Sequence, residues 1–274
     1  MRSRRSTFPD GEQLVTIDNA GELAGKDILV VQSTARSQDS SLLTLLQLLD
    51  AARAMKPRSL SCLVPYLCYQ RQDRSMRDGE PVTARLVAAA VASAGAELLI
   101  TFDRHGRPLE GDGLPRMIDL SCAELYADSA LFRQYAPTVL LAPDLGAARR
   151  IGHLADDLAI PLVTLRKFRD ENGVTSFSEL PDDLRDARCV VIEDLCSTGS
   201  TLIPLHDALV AHHVDFAIFV THLLAAPEVL RRNLPGAARI DYSDSCGQPN
   251  APVRLLAPAV RAWLDAQART TVEA

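Results

Sequence analysis

The stretch from Cys189 to Leu202, CVVIEDLCSTGSTL, constrains the fold more than any other part of the chain. Its apolar β-branched run, Val190 to Ile192, suits a buried strand of a parallel sheet. Glu193 and Asp194 follow, expected at the strand's carboxyl end. Ser197, Thr198, Gly199, Ser200 and Thr201 then open a helix expected over residues 202–211. Hydroxyl side chains and a glycine at a helix N-terminus present backbone N–H donors at the positive end of the helix dipole, which suits a phosphate. Carboxylates a few residues away repel a phosphate, but they can bind the hydroxyls or the metal of a phosphorylated sugar. An ordinary strand with a hydroxylated helix cap would need no acidic pair in front of it.

The rest of the chain repeats the same alternation. Strand-like runs recur at residues 28–31, 60–64, 98–102, 139–142, 162–165, 190–192 and 216–221, with helical patterns at 42–54, 83–94, 147–158 and 202–211. Strand alternating with helix implies βαβ units and an α/β fold with mainly parallel sheets flanked by helices. A weak internal repeat divides it. The segment from Ile28 has the same strand, Ser/Thr loop and helix order as the segment from Cys189, but carries Gln32 and Ser33 where the second copy has Glu193 and Asp194. Only the second half is therefore equipped for a sugar phosphate. The expected boundary lies at residues 135–138, giving domains 1–136 and 137–274, with the C-terminal helix able to cross back.

Composition removes several function classes. The formal net charge of −6 argues against bulk nucleic-acid binding, so an anionic substrate must be met by local basic clusters. No apolar run approaches bilayer length, and the basic start MRSRRS has no apolar segment behind it, so neither a membrane span nor a secretory signal is expected. The six cysteines form no CxxC pair and read as reduced, buried thiols of a cytoplasmic protein. Cys196, inside the phosphate loop, is the one expected to be reactive.

Basic and metal-binding candidates follow strand ends. Arg71, Arg74 and Arg77 lie between Pro65 and Pro81, so they sit on a loop after a strand, where guanidinium forks suit a polyphosphate. Asp103 and His105 close the strand of residues 98–102; in an extended chain they would share a side and could share a metal. Asp144 ends the next strand, followed by Gly146 and a helix start. Lys167 and Arg169 stand two apart on a charged loop, residues 165–173, that could close over phosphates. The glycines of the run from Gly21 to Lys26 suggest a phosphate loop, but the run is one residue short and precedes a strand rather than following it.

Taken together, these segments resemble the ribose-phosphate diphosphokinase (PRPP synthetase) family over nearly the whole chain, in its short, archaeal-like type. The resemblance rests on residues 8–12 (FPDGE), on PYLCYQRQDR with GEPVTARLVA, on the Asp-x-His strand end and on the loop of residues 193–201. It implies two similar phosphoribosyltransferase-like domains. In such a protein Phe8, Asp10, Gly11, Glu12, Arg71, Gln72 and Asp73 would bind ATP. Asp103, His105 and Asp144 would bind Mg²⁺, and Lys167 and Arg169 would be the catalytic pair. Glu193, Asp194, Ser197, Thr198, Gly199, Ser200 and Thr201 would hold ribose 5-phosphate. The implied reaction transfers the diphosphoryl group of ATP to ribose 5-phosphate, giving PRPP and AMP for nucleotide biosynthesis. A homo-oligomer, dimer or larger, is implied as well, with no nucleic-acid or membrane partner.

The chain departs from that pattern in places. Only seven residues precede Phe8, where the family has about one strand and one helix, so the first domain is expected to lack its first strand. Residues 106–116 do not follow the family after Asp-x-His, Ser197 replaces an aspartate and Glu193 replaces the first of the usual acidic pair. Alternative readings are a catalytically weak regulatory subunit of the same family, favoured by the short start, and a phosphoribosyltransferase that consumes PRPP, disfavoured by the ATP-side motifs.

Overall fold

Parallel strands alternating with helices build two main sheets, each over its own apolar core. The computed structural model describes residues 2–106, 108–109, 111–171 and 174–272. Arg107 and Glu110 of the off-pattern segment, and Asn172 and Gly173 at the end of the charged run, lie outside the described residues. The chain separates into two compact units: Met1–Leu120 with Pro258–Ala274, and Ser121–Ala257. The division thus falls ahead of the expected 136/137 boundary. The reason is packing: Tyr126, almost fully buried, packs tilted against Phe219 with ring centroids 3.7 Å apart and hydrogen-bonds the Thr221 hydroxyl, which ties the segment before Tyr135 to the second sheet.

Unit one opens with an antiparallel hairpin, β1 (Ser3–Thr7) and β2 (Gln13–Ile17). Next come β3 (Asp27–Val31), α1 (Gln38–Ala54), β4 (Ser59–Leu63), α2 (Thr83–Ser93), β5 (Leu98–Phe102) and β6 (Arg116–Leu120). The last four strands named here form one parallel sheet in the order β3-β4-β5-β6. Ser41, Thr44, Leu45, Leu48, Leu49 and Ala52 make one buried stripe on α1, the spacing a helix needs to cover a sheet. Fully buried Leu45, Leu49 and Leu99 each contribute on the order of 1.5–3 kcal/mol by leaving water. β3 forms an edge of this sheet, and a cavity of about 320 Å³ lies along it, lined in part by Ile17, Leu23, Ile28, Val30, Leu48 and Ala52. The glycine run at Gly21–Lys26 is a short 3-10 turn and bend leading into β3, not a phosphate loop.

Unit two contains α3 (Ala123–Ala127), α4 (Ala130–Tyr135), β7 (Val139–Ala142), α5 (Leu145–Leu158), β8 (Leu162–Thr164), β9 (Lys167–Arg169) and β10 (Thr175–Phe177). It continues with β11 (Arg188–Cys196), α6 (Leu202–Ala211), β12 (Asp215–Leu223), α7 (Pro227–Asn233) and β13 (Arg239–Tyr242). The closing helix α8 (Leu256–Val272) belongs to unit one from Pro258 onward. β9 and β10 pair as a separate antiparallel hairpin, and the main sheet is parallel in the order β13-β12-β11-β7-β8. That order changes direction between β7 and β11: the chain steps outward from β7 to β8, then returns to the other side for β11, β12 and β13. Carboxyl ends of strands at such a switch point leave a crevice, and ligands of open α/β sheets bind there.

β11 is longer than its apolar run suggested. It continues through Glu193 and Asp194 to Cys196, because β12 runs beside it and the two remain paired as far as Leu223. The acidic pair is therefore inside the strand. β7 pairs with β11 only to Val191, so the last residues of β11 project beyond β7 toward the mouth of the crevice.

Candidate active site

Side chains alternate across a strand, so the acidic neighbours on β11 face opposite ways. Cys189 and Val191 belong to the core that includes Leu202, Leu205 and Leu209 of α6, and Glu193 follows them in register on that face. Asp194 points to the other face, where the Arg150 guanidinium of α5 lies 3.0 Å from its carboxylate. Both carboxyl groups are buried, but their surroundings differ. Oε2 of Glu193 has no hydrogen-bond partner among the described residues. Burial first, and the neighbouring Asp194 charge second, push the Glu193 carboxyl up to about 8.

The loop after β11 follows the expected course. Gly199 takes a φ of +85°, which glycine adopts without strain, and its carbonyl accepts from the Ile203 N–H at 2.8 Å to start α6. The helix runs from Leu202 to Ala211, as the sequence indicated. Thr198 and Ser200 are exposed, while Ser197 and Thr201 are half-buried. Cys196 corrects the expectation of a reactive thiol: it is 3% exposed and packs in the core under the loop.

Two more elements converge on this loop. Asp144, at the end of β7, caps α5: its Oδ1 accepts from the Ala147 N–H at 3.0 Å. Its Oδ2 lies 3.6 Å from Nζ of Lys167, and that same ammonium donates to Oγ1 of Thr201 at 2.8 Å. Lys167 is thus held between a strand-end carboxylate and the last hydroxyl of the phosphate loop. It opens β9, so the charged run expected as a mobile loop is a short hairpin in its described part, with Lys167 opposite Phe177 and Arg169 opposite Thr175. Residues two apart on a strand share a face, which puts Lys167 and Arg169 on one side of that hairpin and exposed Phe168 on the other. Arg150 was missed in the sequence because adjacent arginines on an amphipathic helix read as solvated surface.

In unit one, Phe8 to Glu12 form the tip of the β1–β2 hairpin. The Phe8 N–H donates to the Glu12 carbonyl at 2.8 Å, and Oδ1 of Asp10 accepts from the Glu12 N–H at 3.1 Å. Gly11 has a φ of +97° at the turn, and Phe8 is 49% exposed. Arg71, Arg74 and Arg77 lie exposed on the loop after β4, where one carboxylate oxygen of Glu80 accepts from the N–H groups of both Met76 and Arg77. The Thr83 hydroxyl hydrogen-bonds the Gln72 side chain. This loop meets the one after β5: a Cβ on Gly106 would sit 3.0 Å from the Asp73 carboxylate and the Gln70 carbonyl, and Arg104 donates to the Gln70 side chain at 3.3 Å. Asp103 has a φ of +36°, so the Asp103–His105 segment is bent and the shared-side geometry of an extended chain does not apply. Among the described residues no three metal-ligating side chains come together. The first Ser/Thr loop of the repeat differs from the second: Thr34 is fully buried, donating to the Tyr66 carbonyl and accepting from the Cys68 N–H, both at 2.8 Å.

A hydroxyl-rich helix start over paired acids, at a switch point of this strand order, defines the class: unit two is a phosphoribosyltransferase-type α/β domain, and residues 121–233 match the phosphoribosyl transferase domain family. Residues 1–95 match the N-terminal domain of ribose phosphate pyrophosphokinase. Among curated relatives, a ribose-phosphate pyrophosphokinase of Hyphomonas neptunium is 32% identical over 244 residues, 84% of this chain and 74% of the relative. Another, from Maricaulis maris, is 31% identical over 78% of this chain and 69% of the relative. The crystal structure of phosphoribosylpyrophosphate synthetase from Mycobacterium smegmatis has the same fold, with a TM-score of 0.81 at 24% identity, covering 97% of this chain and 91% of that one. The chain belongs to the ribose-phosphate pyrophosphokinase family.

Proposed function

We propose that the chain is a ribose-phosphate diphosphokinase, which moves the diphosphoryl group of ATP onto ribose 5-phosphate and releases AMP. The observation that carries this reading is Lys167, held by Asp144 and Thr201 at the mouth of a sugar-phosphate crevice. A site that only bound a phosphorylated sugar would not need a cation fixed beside the loop and a second, Arg169, on the same face of its hairpin. In the reaction the 1-hydroxyl oxygen of ribose bonds to the β-phosphorus of ATP, the bond from that phosphorus to the bridging oxygen breaks, and AMP leaves with the oxygen. The hydroxyl proton is released. Such a transfer depends on in-line positioning and charge neutralisation more than on covalent help.

The residues divide into roles. Ser197 to Thr201, with the N–H groups of the α6 start, take the 5-phosphate, and Glu193 and Asp194 meet the ribose hydroxyls. Lys167 and Arg169 offset the charge on the moving diphosphoryl group. Phe8, Asp10, Gly11 and Glu12 on the hairpin tip, and Arg71, Gln72 and Asp73 on the loop after β4, bind ATP. Mg²⁺ is the implied metal; it prefers oxygen donors and could be held by one or two carboxylates plus substrate phosphates, and the Asp144 carboxylate beside Lys167 would supply one such donor. Asp144 is the candidate ligand within unit two, Asp103 and His105 are the candidates within unit one, and a bound ion would neutralise polyphosphate charge. We further propose a homo-oligomer, with the Phe8 hairpin serving a neighbouring copy, and a cytoplasmic location, in keeping with six buried free thiols. No helix among the described residues is long and apolar enough to cross a membrane.

The test is AMP release from ATP, ribose 5-phosphate and Mg²⁺, with phosphorus NMR of the product. A diphosphoryl group on the ribose 1-oxygen is expected. AMP release that does not depend on ribose 5-phosphate, or none at all, rejects the assignment.

A further inference from the structure

Thr201 occupies the capping position at the start of α6, yet its side chain does not cap that helix. A threonine there ordinarily accepts a backbone N–H of the first turn. Instead, Oγ1 of Thr201 lies 2.8 Å from Nζ of Lys167. An ammonium carries donors only, so the hydroxyl is the acceptor, and its own proton is directed away from Lys167. The other neighbour of the ammonium is different in kind. Oδ2 of Asp144 stands 3.6 Å away, beyond hydrogen-bond distance, so it supplies charge without direction. We propose that Thr201 is a positioning residue for the diphosphoryl transfer: besides its place in the phosphate loop, its hydroxyl accepts the hydrogen bond that orients the Lys167 ammonium. This rests on the proposed role of Lys167.

A lysine needs such a contact to be placed. It is a compact point charge on a flexible four-carbon stem, and packing along the stem does not fix the nitrogen. The Lys167 side chain is 16% exposed, whereas Arg169, on the same face of the hairpin, is exposed. Hairpin and loop share a base: Phe177, opposite Lys167, packs against the core that includes Leu202 and Leu205 of α6. The bridge from Lys167 to Thr201 therefore joins two elements already seated on one core. Neither element needs the bridge for its own seating. The Gly199 carbonyl and the Ile203 N–H start the helix, and strand pairing with Phe177 packing holds the hairpin. In this role Thr201 acts on the transfer through Lys167.

The test compares the full-length wild type with Thr201→Val, which keeps the shape and removes the hydroxyl, Thr201→Ser, Lys167→Ala and the Thr201→Val/Lys167→Ala double variant. Steady-state kinetics of AMP release and thermal unfolding are measured for each. Thr201→Val is expected to lower kcat about ten- to hundred-fold, the cost of a misplaced reacting group, with a smaller change in the KM for ribose 5-phosphate. Thr201→Ser should recover most of that kcat, and the double variant should be little slower than Lys167→Ala alone. A second readout needs no turnover: trace acetylation with acetic anhydride, read by mass spectrometry. Lys26 and Lys56, both exposed, are the only other lysines in the sequence and serve as internal references. Reactivity of Lys167 relative to them should change in Thr201→Val and return toward wild type in Thr201→Ser. A loss confined to the KM for ribose 5-phosphate, a double variant whose loss is the product of the single losses, or unchanged relative reactivity of Lys167 overturns the role. Should Thr201→Val not fold, Thr201→Ala takes its place, and equal kcat in Thr201→Ala and Thr201→Ser overturns it. A wild type that forms no AMP rejects the diphosphokinase reading and this role with it. An active wild type whose kcat is indifferent to Thr201→Val rejects the role alone.

Discussion

At the scale of single residues, the crevice balances charges that would be costly apart. Asp144, Glu193 and Asp194 bring three carboxyl groups to the ends of β7 and β11, and Lys167 and Arg150 bring two cations. Keeping the Glu193 carboxyl protonated is the cheapest way to close the difference, which agrees with its raised pKa. The stability consequence has a definite sign. Unfolded, the carboxyl titrates near 4.5; folded, near 8, so between these values the folded state holds a proton that the unfolded state has released. Stability from this group is therefore complete below pH 4.5 and is lost as pH rises through about 8. The Glu193→Gln variant lacks that titration, so wild-type stability relative to it should fall between about pH 5 and pH 8 in urea unfolding. A difference that stays flat across this window would show that Glu193 is ionised when folded. Lys167→Ala addresses the reaction itself. If the ammonium neutralises charge that develops on transfer, as proposed, kcat should drop by roughly two to three orders of magnitude, about 3–4 kcal/mol, with little change in either substrate's affinity. A variant that keeps most of its kcat would remove Lys167 from catalysis.

At the scale of elements, Asp144 serves two masters that mutation can separate. Its Oδ1 caps α5 and its Oδ2 meets Lys167. Asparagine keeps the cap and loses the charge, so Asp144→Asn should hold stability within about 0.5 kcal/mol of wild type, while Asp144→Ala loses about 1 kcal/mol. Both should lose activity; an Asp144→Asn variant with wild-type turnover would reduce Asp144 to a cap. The elements legible in the sequence are those whose pattern matches burial. The runs at Leu98–Phe102, apolar but for Thr101, and at Val139–Ala142, apolar throughout, occur as strands at those residues, and α6 begins where the hydroxyl run ends. Some of what escaped was set by pairing more than by burial. β1 is exposed at every position and forms only because β2 pairs with it, so no alternation marks it. β9 carries Lys167 and Arg169 around an exposed Phe168, which reads as surface. The pairing of Arg150 with Asp194 spans two elements, and spacing within either one does not reveal it. The extension of β11 through an acidic pair likewise follows from β12, whose paired run continues to Leu223.

At the scale of the molecule, each unit has its own core, and the two copies of the repeat differ: Thr34 is fully buried in unit one, while Thr198 and Ser200 of the second loop are exposed and Ser197 and Thr201 half-buried. The β1–β2 hairpin tip carries Phe8, Asp10 and Glu12 at exposed positions. Phe8 stands half in solvent at the end of a hairpin whose first strand buries nothing, an arrangement a lone chain gains little from and a neighbouring chain could cover. If the tip completes the adenine site of a second copy, whose own Arg71 loop supplies the rest, two differently damaged chains should repair one another. Phe8→Ala and Arg71→Ala are each expected to cut activity about ten-fold or more if each side chain contacts the bound nucleotide as proposed. In a dimer formed by exchange between them, one site carries both lesions and the other carries neither. Mixing the two under conditions that allow subunit exchange should therefore raise activity well above that of either variant, toward about a quarter of wild type for random pairing into dimers. Light scattering on the same mixture would show the assembly. A mixture no more active than the mean of its parts, or a monodisperse monomer with full wild-type activity, would confine the Phe8 tip to its own chain.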